Sequence, residues 1–250
     1  MPPTLMIAQL NAKTGRGDEF REWYEHVHVR DVMRMDGAVT AQRYEQEEKS
    51  GFDAHGHSRF THLTVYELDD PESVSLAHTE AAGTERLVFS LAADLSDVSV
   101  HYYYPTMHIG GLARRNPQHL AILSEFDGDM QFTSEHAMRA VKDVTQTSAQ
   151  DEHFISMLSA DYRDQHQMFR RKPQASSITL LLALPGGPFS SEKLAGVVDV
   201  FAHASRVTLF TSTSDRITRA RVLSEGQTSR EGDARREALA GTQSPWGKRR

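Results

Sequence analysis

The chain has no cysteine. That excludes disulfides, a thiolate nucleophile and iron–sulfur or thiolate–zinc centres, and it fits a reducing compartment. Long apolar runs are missing as well, since none approaches the roughly 18–20 residues that a membrane-spanning helix needs. The start, Met1-Pro2-Pro3-Thr4, has no basic stretch leading into an apolar one, so a signal peptide is not expected. Positive charge is outweighed: 28 Lys and Arg stand against 34 Asp and Glu, for a formal net charge of −6. This gives no general attraction for nucleic acid or an anionic membrane. The expected location is the cytoplasm. Glycine signatures of nucleotide sites are absent too. Gly186-Gly187 lacks the spacing and the Lys-Ser/Thr ending of a phosphate loop, and there is neither a dinucleotide fingerprint nor a Gly-x-Ser-x-Gly elbow.

What the chain does have is 13 histidines and a pattern of short elements in 250 residues. Thr4 to Leu10 reads as a strand, and Asp18 is placed to cap a helix running from about Glu19 to Met35, with Gly37 as its stop. Ala38 to Glu45 and Phe60 to Leu68 read as strands, Asp70-Pro71 opens a helix, and Val98 to Tyr104 is a strand ended by Pro105. The order β-α-β-β-α-β is that of a ferredoxin-like unit, whose free sheet face needs a partner sheet. The second half reads as a looser copy. It offers strands at His119–Glu125, Ile178–Leu184 and Arg206–Ser212, helical spacing over 134–147 and 152–169, and a helix capped by Ser190. The expected class is therefore α+β, with duplicated ferredoxin-like units forming a barrel-type core. The expected units are residues 1–112 and 113–223, followed by a flexible polar tail over 224–250.

The helix from Asp18 to Gly37 carries the chemistry. Phe20, Tyr24, Val27, Asp31 and Met35 recur at helical spacing, with His28 beside them. A carboxylate on a largely apolar face needs a partner. His28 and Asp31 are three residues apart, so the carboxylate could orient the imidazole as a base, while Tyr24 lies one turn earlier to meet a substrate oxygen. The structural alternative is a satisfied histidine, with Asp31 bonded to backbone at the helix end.

Phe20-Arg-Glu-Trp-Tyr-Glu-His-Val-His28, then Arg30-Asp31-Val32-Met33 and Gly37-Ala-Val-Thr-Ala-Gln-Arg43, resembles the first helix and second strand of the dimeric α+β barrel superfamily, particularly its EthD-like members. The resemblance covers residues 4–45 and extends less closely to Tyr104. It implies two ferredoxin-like sheets packed face to face and small aromatic or polyketide-like ligands. It also implies cofactor-free chemistry: isomerases, dehydratases, cyclases, decarboxylases and monooxygenases all occur. The helix histidine corresponds to His28, the nearby acid to Asp31 and the aromatic pair to Trp23 and Tyr24. Where many relatives have proline after this histidine, the chain has Val29.

Further candidates lie outside that helix. In His101-Tyr-Tyr-Tyr-Pro105, His101 and Tyr103 share one strand face, so Tyr103 could stabilise a substrate oxygen and His101 could line a pocket. His108 lies beyond Pro105 as a secondary catalytic candidate, and Arg43 and His62 are candidate substrate contacts. His55, His57 and His62 form an incomplete metal set, so no metal or cofactor is expected. His78, with Glu80 nearby, is expected to face solvent. The leading expectation is a cofactor-independent lyase or isomerase moving a proton on a small aromatic or unsaturated carbonyl compound. The alternatives are a cofactor-free monooxygenase of an electron-rich phenol and a non-catalytic aromatic-ligand-binding protein. A homodimer is compatible with either.

Overall fold

The computed structural model describes residues 3–46, 59–82, 84, 86–109, 118–126, 135, 138–139, 142, 154–160, 178–185 and 206–225. The first half comprises β1 (Thr4–Ala12), α1 (Gly17–Trp23), a π-helical turn (Tyr24–His28), α2 (Val29–Met33), β2 (Ala38–Gln46), β3 (His62–Leu68), α3 (Pro71–Ala81) and β4 (Ala93–Ile109). The second comprises β5 (Gln118–Phe126), β6 (Phe154–Ala160), β7 (Ile178–Pro185), β8 (Arg206–Ser212), β9 (Ile217–Thr218) and α4 (Arg219–Ser224).

All strand pairings are antiparallel, and they close a ring. The strands run β3-β1-β4-β6-β7-β5-β8-β2, and β2 pairs back onto β3. Within the first half the order is β4-β1-β3-β2, and within the second it is β8-β5-β7-β6. Each is the fourth-first-third-second order of a ferredoxin-like unit. The units join reciprocally, the last strand of each beside the second strand of the other: β4 on β6 and β8 on β2. The fold is thus α+β, a duplicated ferredoxin-like barrel in one polypeptide.

Alternation along the strands sorts side chains between two apolar compartments. Leu5 and Ile7 of β1 meet Tyr44, Leu63, Val65, Tyr103 and Phe210 inside the ring. Met6, Ala8 and Leu10 point the other way, under the helices with Phe20, Trp23 and Val27. β1 is therefore buried on both faces over Thr4–Leu10.

Three expectations need correction. Residues 154–160 form β6 and not part of a helix, because the ring requires a strand between β4 and β7 and tertiary pairing overrides the local spacing. Pro105 does not end its strand: β4 continues to Ile109 and absorbs the proline, which has no N–H for the ladder, as a register shift. Asp18 lies in the first turn of α1 and pairs with Arg21 at 2.6 Å, so it is not the cap. Before the tail, α4 is held to the first half by Arg219–Asp36 and Arg30–Glu225 ion pairs and by buried Val222. The helix expected after Ser190 lies outside the described residues, as does most of 134–147.

The helix-to-strand turn at Gly37 fixes where β2 begins. Gly37 has φ +92°, and a Cβ there would collide with the Asp70 carbonyl oxygen. Asp70 is itself the cap of α3, accepting from the Ser73 N–H at 3.0 Å. Gly15 also has positive φ (+77°) but open space around it. Gly37→Ala should therefore cost about 3 kcal/mol, strain plus overpacking, and Gly15→Ala only about 1 kcal/mol. Urea unfolding of both variants checks this, and equal losses would contradict the packing argument.

Candidate active site

The segment from Gly17 to Met33 is helical throughout, but its middle turn is π-helical. The Val29 N–H donates to the Tyr24 carbonyl, five residues back, where an α-helix would use four. The buried stripe widens through the turn. Before it Phe20 and Trp23 are buried, within it Tyr24, Val27 and His28, and after it Val29, Asp31, Val32 and Met33. Tyr24 and His28 are the ends of this turn, and both are buried.

His28 sits in an aromatic box. Its ring centroid lies 4.9 Å from Trp23, 5.1 Å from Tyr24 in a stacked arrangement, 6.0 Å from Phe89 and 6.4 Å from His78. The Trp23 indole N–H donates to the Val88 carbonyl at 2.9 Å, which fixes that wall. His28 Nδ1 is buried and has no hydrogen-bond partner. The ring borders a cavity of about 30 Å³ whose other walls include Leu10, Trp23, His78, Phe89 and Val98. That volume is close to one water, so an aromatic ligand must displace neighbouring side chains.

Electrostatics keep this region free of imidazolium. Burial, then the charges on His78 and Arg43, lowers His28 to about 3. His78 falls to about 4 through burial alone. His62, 4.5 Å from the Phe20 ring, falls to about 4 through burial and the charges of Arg43 and Arg21. Its Nδ1 lies 3.5 Å from Glu45 Oε1, too long for a good hydrogen bond, and the ring is neutral at pH 7, so this contact is not an ion pair there. Burial raises Tyr24, an effect partly offset by the Thr64 and Tyr66 hydroxyls and by Arg43, so the phenol stays protonated. Arg43 itself is only 2% exposed, with its guanidinium 5.0 Å over the Tyr24 ring and 3.0 Å from Glu25 Oε2.

The sequence candidates fall into two compartments. Trp23, Tyr24, His28, Arg43 and His62 gather between the helices and the outer face of β1–β3, and the structure brings them together. Tyr103 is inside the ring, paired with Leu5, and His101 pairs with Ile7 on the same face with its ring 6.1 Å from Tyr103. The sheet separates these two from His28. Asp31 is buried, but its Oδ1 accepts from Arg34 at 3.0 Å, and it does not engage the free His28 Nδ1. His108 lies on β4 opposite Ser156, and its side chain is outside the described residues, as are His55 and His57. Among the described residues no three metal-ligating side chains converge, and no helix is long and apolar enough to cross a membrane.

His78 was missed, although Val74, Ser75, His78 and Ala81 all turn inward at spacings of one, three and three. That stripe was legible, and it places His78 on the buried face of α3 and not in solvent.

No family model matches the chain, and no curated protein matches it. Among solved structures, an anthrone oxidase-like protein superposes with a TM-score of 0.54 at 10% identity, over 88% of this chain and 94% of that one. A protein of Fusobacterium nucleatum subsp. nucleatum described as a "putative monooxygenase" superposes with a TM-score of 0.50 at 10% identity, over 86% and 94%. The chain shares the fold of these two structures, an α+β barrel of antiparallel strands. At such identity the likeness is one of fold, and function must be argued from the site.

The buried neutral histidines make a stability prediction. Unfolded, each ring titrates near 6.5; folded, near 3 to 4. Between those values the unfolded chain binds more protons, so this stability is fully present above about pH 6.5 and is lost as pH falls toward the folded values. At pH ~5 each ring should have cost about 2 kcal/mol. Urea midpoints should fall steeply from pH ~7 to ~5, and His78→Gln should make the slope shallower. A flat profile would contradict burial of these rings.

Proposed function

We propose that the protein is a cofactor-independent lyase or isomerase that moves a proton on a small aromatic or unsaturated carbonyl compound, with His28 as the base. The observation that carries this reading is a buried imidazole with an unpartnered Nδ1 on the wall of an apolar cavity. His62 and His101 also have a buried Nδ1 outside any hydrogen bond, and of the three rings it is His28 that borders this cavity. The resemblance to EthD-like sequences around His28 supports the same assignment.

The chemistry follows from the residues. His28 is already in its base form near neutral pH, because its protonation point lies at about 3. Such a ring is a weak base in isolation. It gains strength where the substrate becomes an anion, since a developing negative charge beside it favours imidazolium. The α C–H bond breaks, its proton passes to Nδ1, and its electron pair moves to the carbonyl oxygen. Tyr24 stacks on His28 and remains protonated, so its hydroxyl is suited to donate to that oxygen. Arg43 adds positive potential beneath Tyr24. Trp23 and His62 shape the pocket. Asp31 has a helix-end role through Arg34, and Tyr103 and His101 take no part in the proton transfer.

The small apolar cavity also favours a second reading, a ligand-binding protein without turnover. One experiment separates the two. The full chain is incubated in D2O with a panel of small aromatic ketones and unsaturated carbonyl compounds, and C–H exchange is followed by proton NMR. At least one compound should exchange, and His28→Gln should slow it by roughly 10²–10⁴-fold while the variant stays folded. Saturable binding without exchange would select the ligand-binding reading. Oxygen uptake with electron-rich phenols would select a cofactor-free monooxygenase. Equal exchange rates in folded His28→Gln would remove His28 from the chemistry.

A further inference from the structure

We propose that His78 is the second half of a two-imidazole proton relay, which takes the proton that His28 removes and returns it to a different carbon of the same substrate. This rests on the assignment of His28 as the base and narrows the reaction to a proton relocation, the isomerisation of a β,γ-unsaturated carbonyl compound.

Three observations converge on it. His78 comes from α3 and His28 from the π turn, so two separate elements each bring an imidazole to the same small cavity. Their rings are 6.4 Å apart and inclined at 68°. A direct N–H···N bond of about 3 Å would bring the centroids closer, so the gap suits a ligand or a single bridging atom. Apart from Tyr24, the remaining described walls, among them Leu10, Phe89, Val98 and Val100, offer no competing acid or base. The titratable and charged groups that face the pair are Tyr24 from the π turn and Arg43 from β2. Tyr24 stays protonated and so is no base toward the substrate, and Arg43 is held by Glu25 at 3.0 Å.

The pair is also coupled. A charge on His78 opposes one on His28, so the two rings hold one proton more readily than two. One mobile proton is what a relocation requires. The C–H bond α to the carbonyl breaks, and its proton goes to His28 while its electrons go to oxygen as a dienolate. The proton then passes from His28 to His78 through one bridging water, and His78 gives a proton to the γ carbon, where a new C–H bond forms as the dienolate collapses to the conjugated carbonyl. Both rings return to their neutral state, and no oxidant or co-reactant enters. A lone base could instead swing between the two carbons, but His28 is packed against Trp23 and Tyr24 and has little room to do so.

The test uses the full chain and 3-cyclohexen-1-one, whose conversion to 2-cyclohexen-1-one is this relocation. In D2O, wild type should both exchange the α protons and form the conjugated ketone. His78→Gln should lower the ratio of conjugated-ketone formation to α exchange by roughly 100-fold, the scale of one acid–base group. His28→Gln should lose both. Unchanged product formation in His78→Gln, or no conversion by wild type, overturns the relay, while the exchange screen above still decides the role of His28. Loss of α exchange along with product in a folded His78→Gln also overturns it, because His78 would then serve the first step. If that variant does not fold, His78→Asn is read for the same ratio, and a ratio equal to that of wild type overturns the relay.

Discussion

Closure of the strand ring forces β1 to be covered on both sides, and most of the molecule follows from that constraint. A sheet strand offers alternate side chains to opposite faces. In β1, Leu5 and Ile7 fill the interior of the ring while Met6, Ala8 and Leu10 support the helices. Because the fourth strand of each unit pairs with the second strand of the other, one polypeptide completes the ring. The interior is then packed with Tyr44, Leu63, Val65, Leu181 and Phe210. The cavity that His28 borders lies on the outer face, where the helices meet the sheet.

That outer layer contains a charge that ordinary packing would exclude. Arg43 is buried beneath Tyr24 and held by Glu25. Its positive field, added to burial, disfavours protonation of His28 and His62. The same field favours any negative charge that develops on a substrate oxygen near Tyr24. The arrangement thus maintains neutral bases and an electropositive backdrop together, which suits enolate formation and does not suit a cationic ligand.

Much of this was legible in the sequence, and the limits have physical causes. The striping of Phe20, Tyr24 and Val27 placed Trp23, Tyr24 and His28 on the correct helix, and the element order gave the ferredoxin-like unit. The π turn was not legible, because it is a backbone hydrogen-bond shift with no residue signature; the expected stripe is buried, and Val29, Val32 and Met33 are buried beside it. Asp31 has two neighbours at the same three-residue spacing, His28 and Arg34. Spacing could not rank them, and the charge-assisted pair with Arg34 is the one formed. Phe154, Ile155, Met157 and Leu158 fit helical spacing as well as a strand; only the ring's need for a partner beside β4 and β7 decides. Alternation correctly put His101 with Tyr103, but it could not say that their face is the opposite one from His28.

The central claim is that the reactive compartment is the helix-covered face, centred on the unpartnered His28 Nδ1. The most direct measurement is a crystal structure of the protein soaked with phenol, a minimal aromatic ligand with one donor hydroxyl. The account predicts density with the hydroxyl at His28 Nδ1 and the ring widening the cavity between Phe89 and Val98. Density confined to the barrel interior beside Tyr103 and His101, or a His28 Nδ1 found bonded to a protein group, would contradict it.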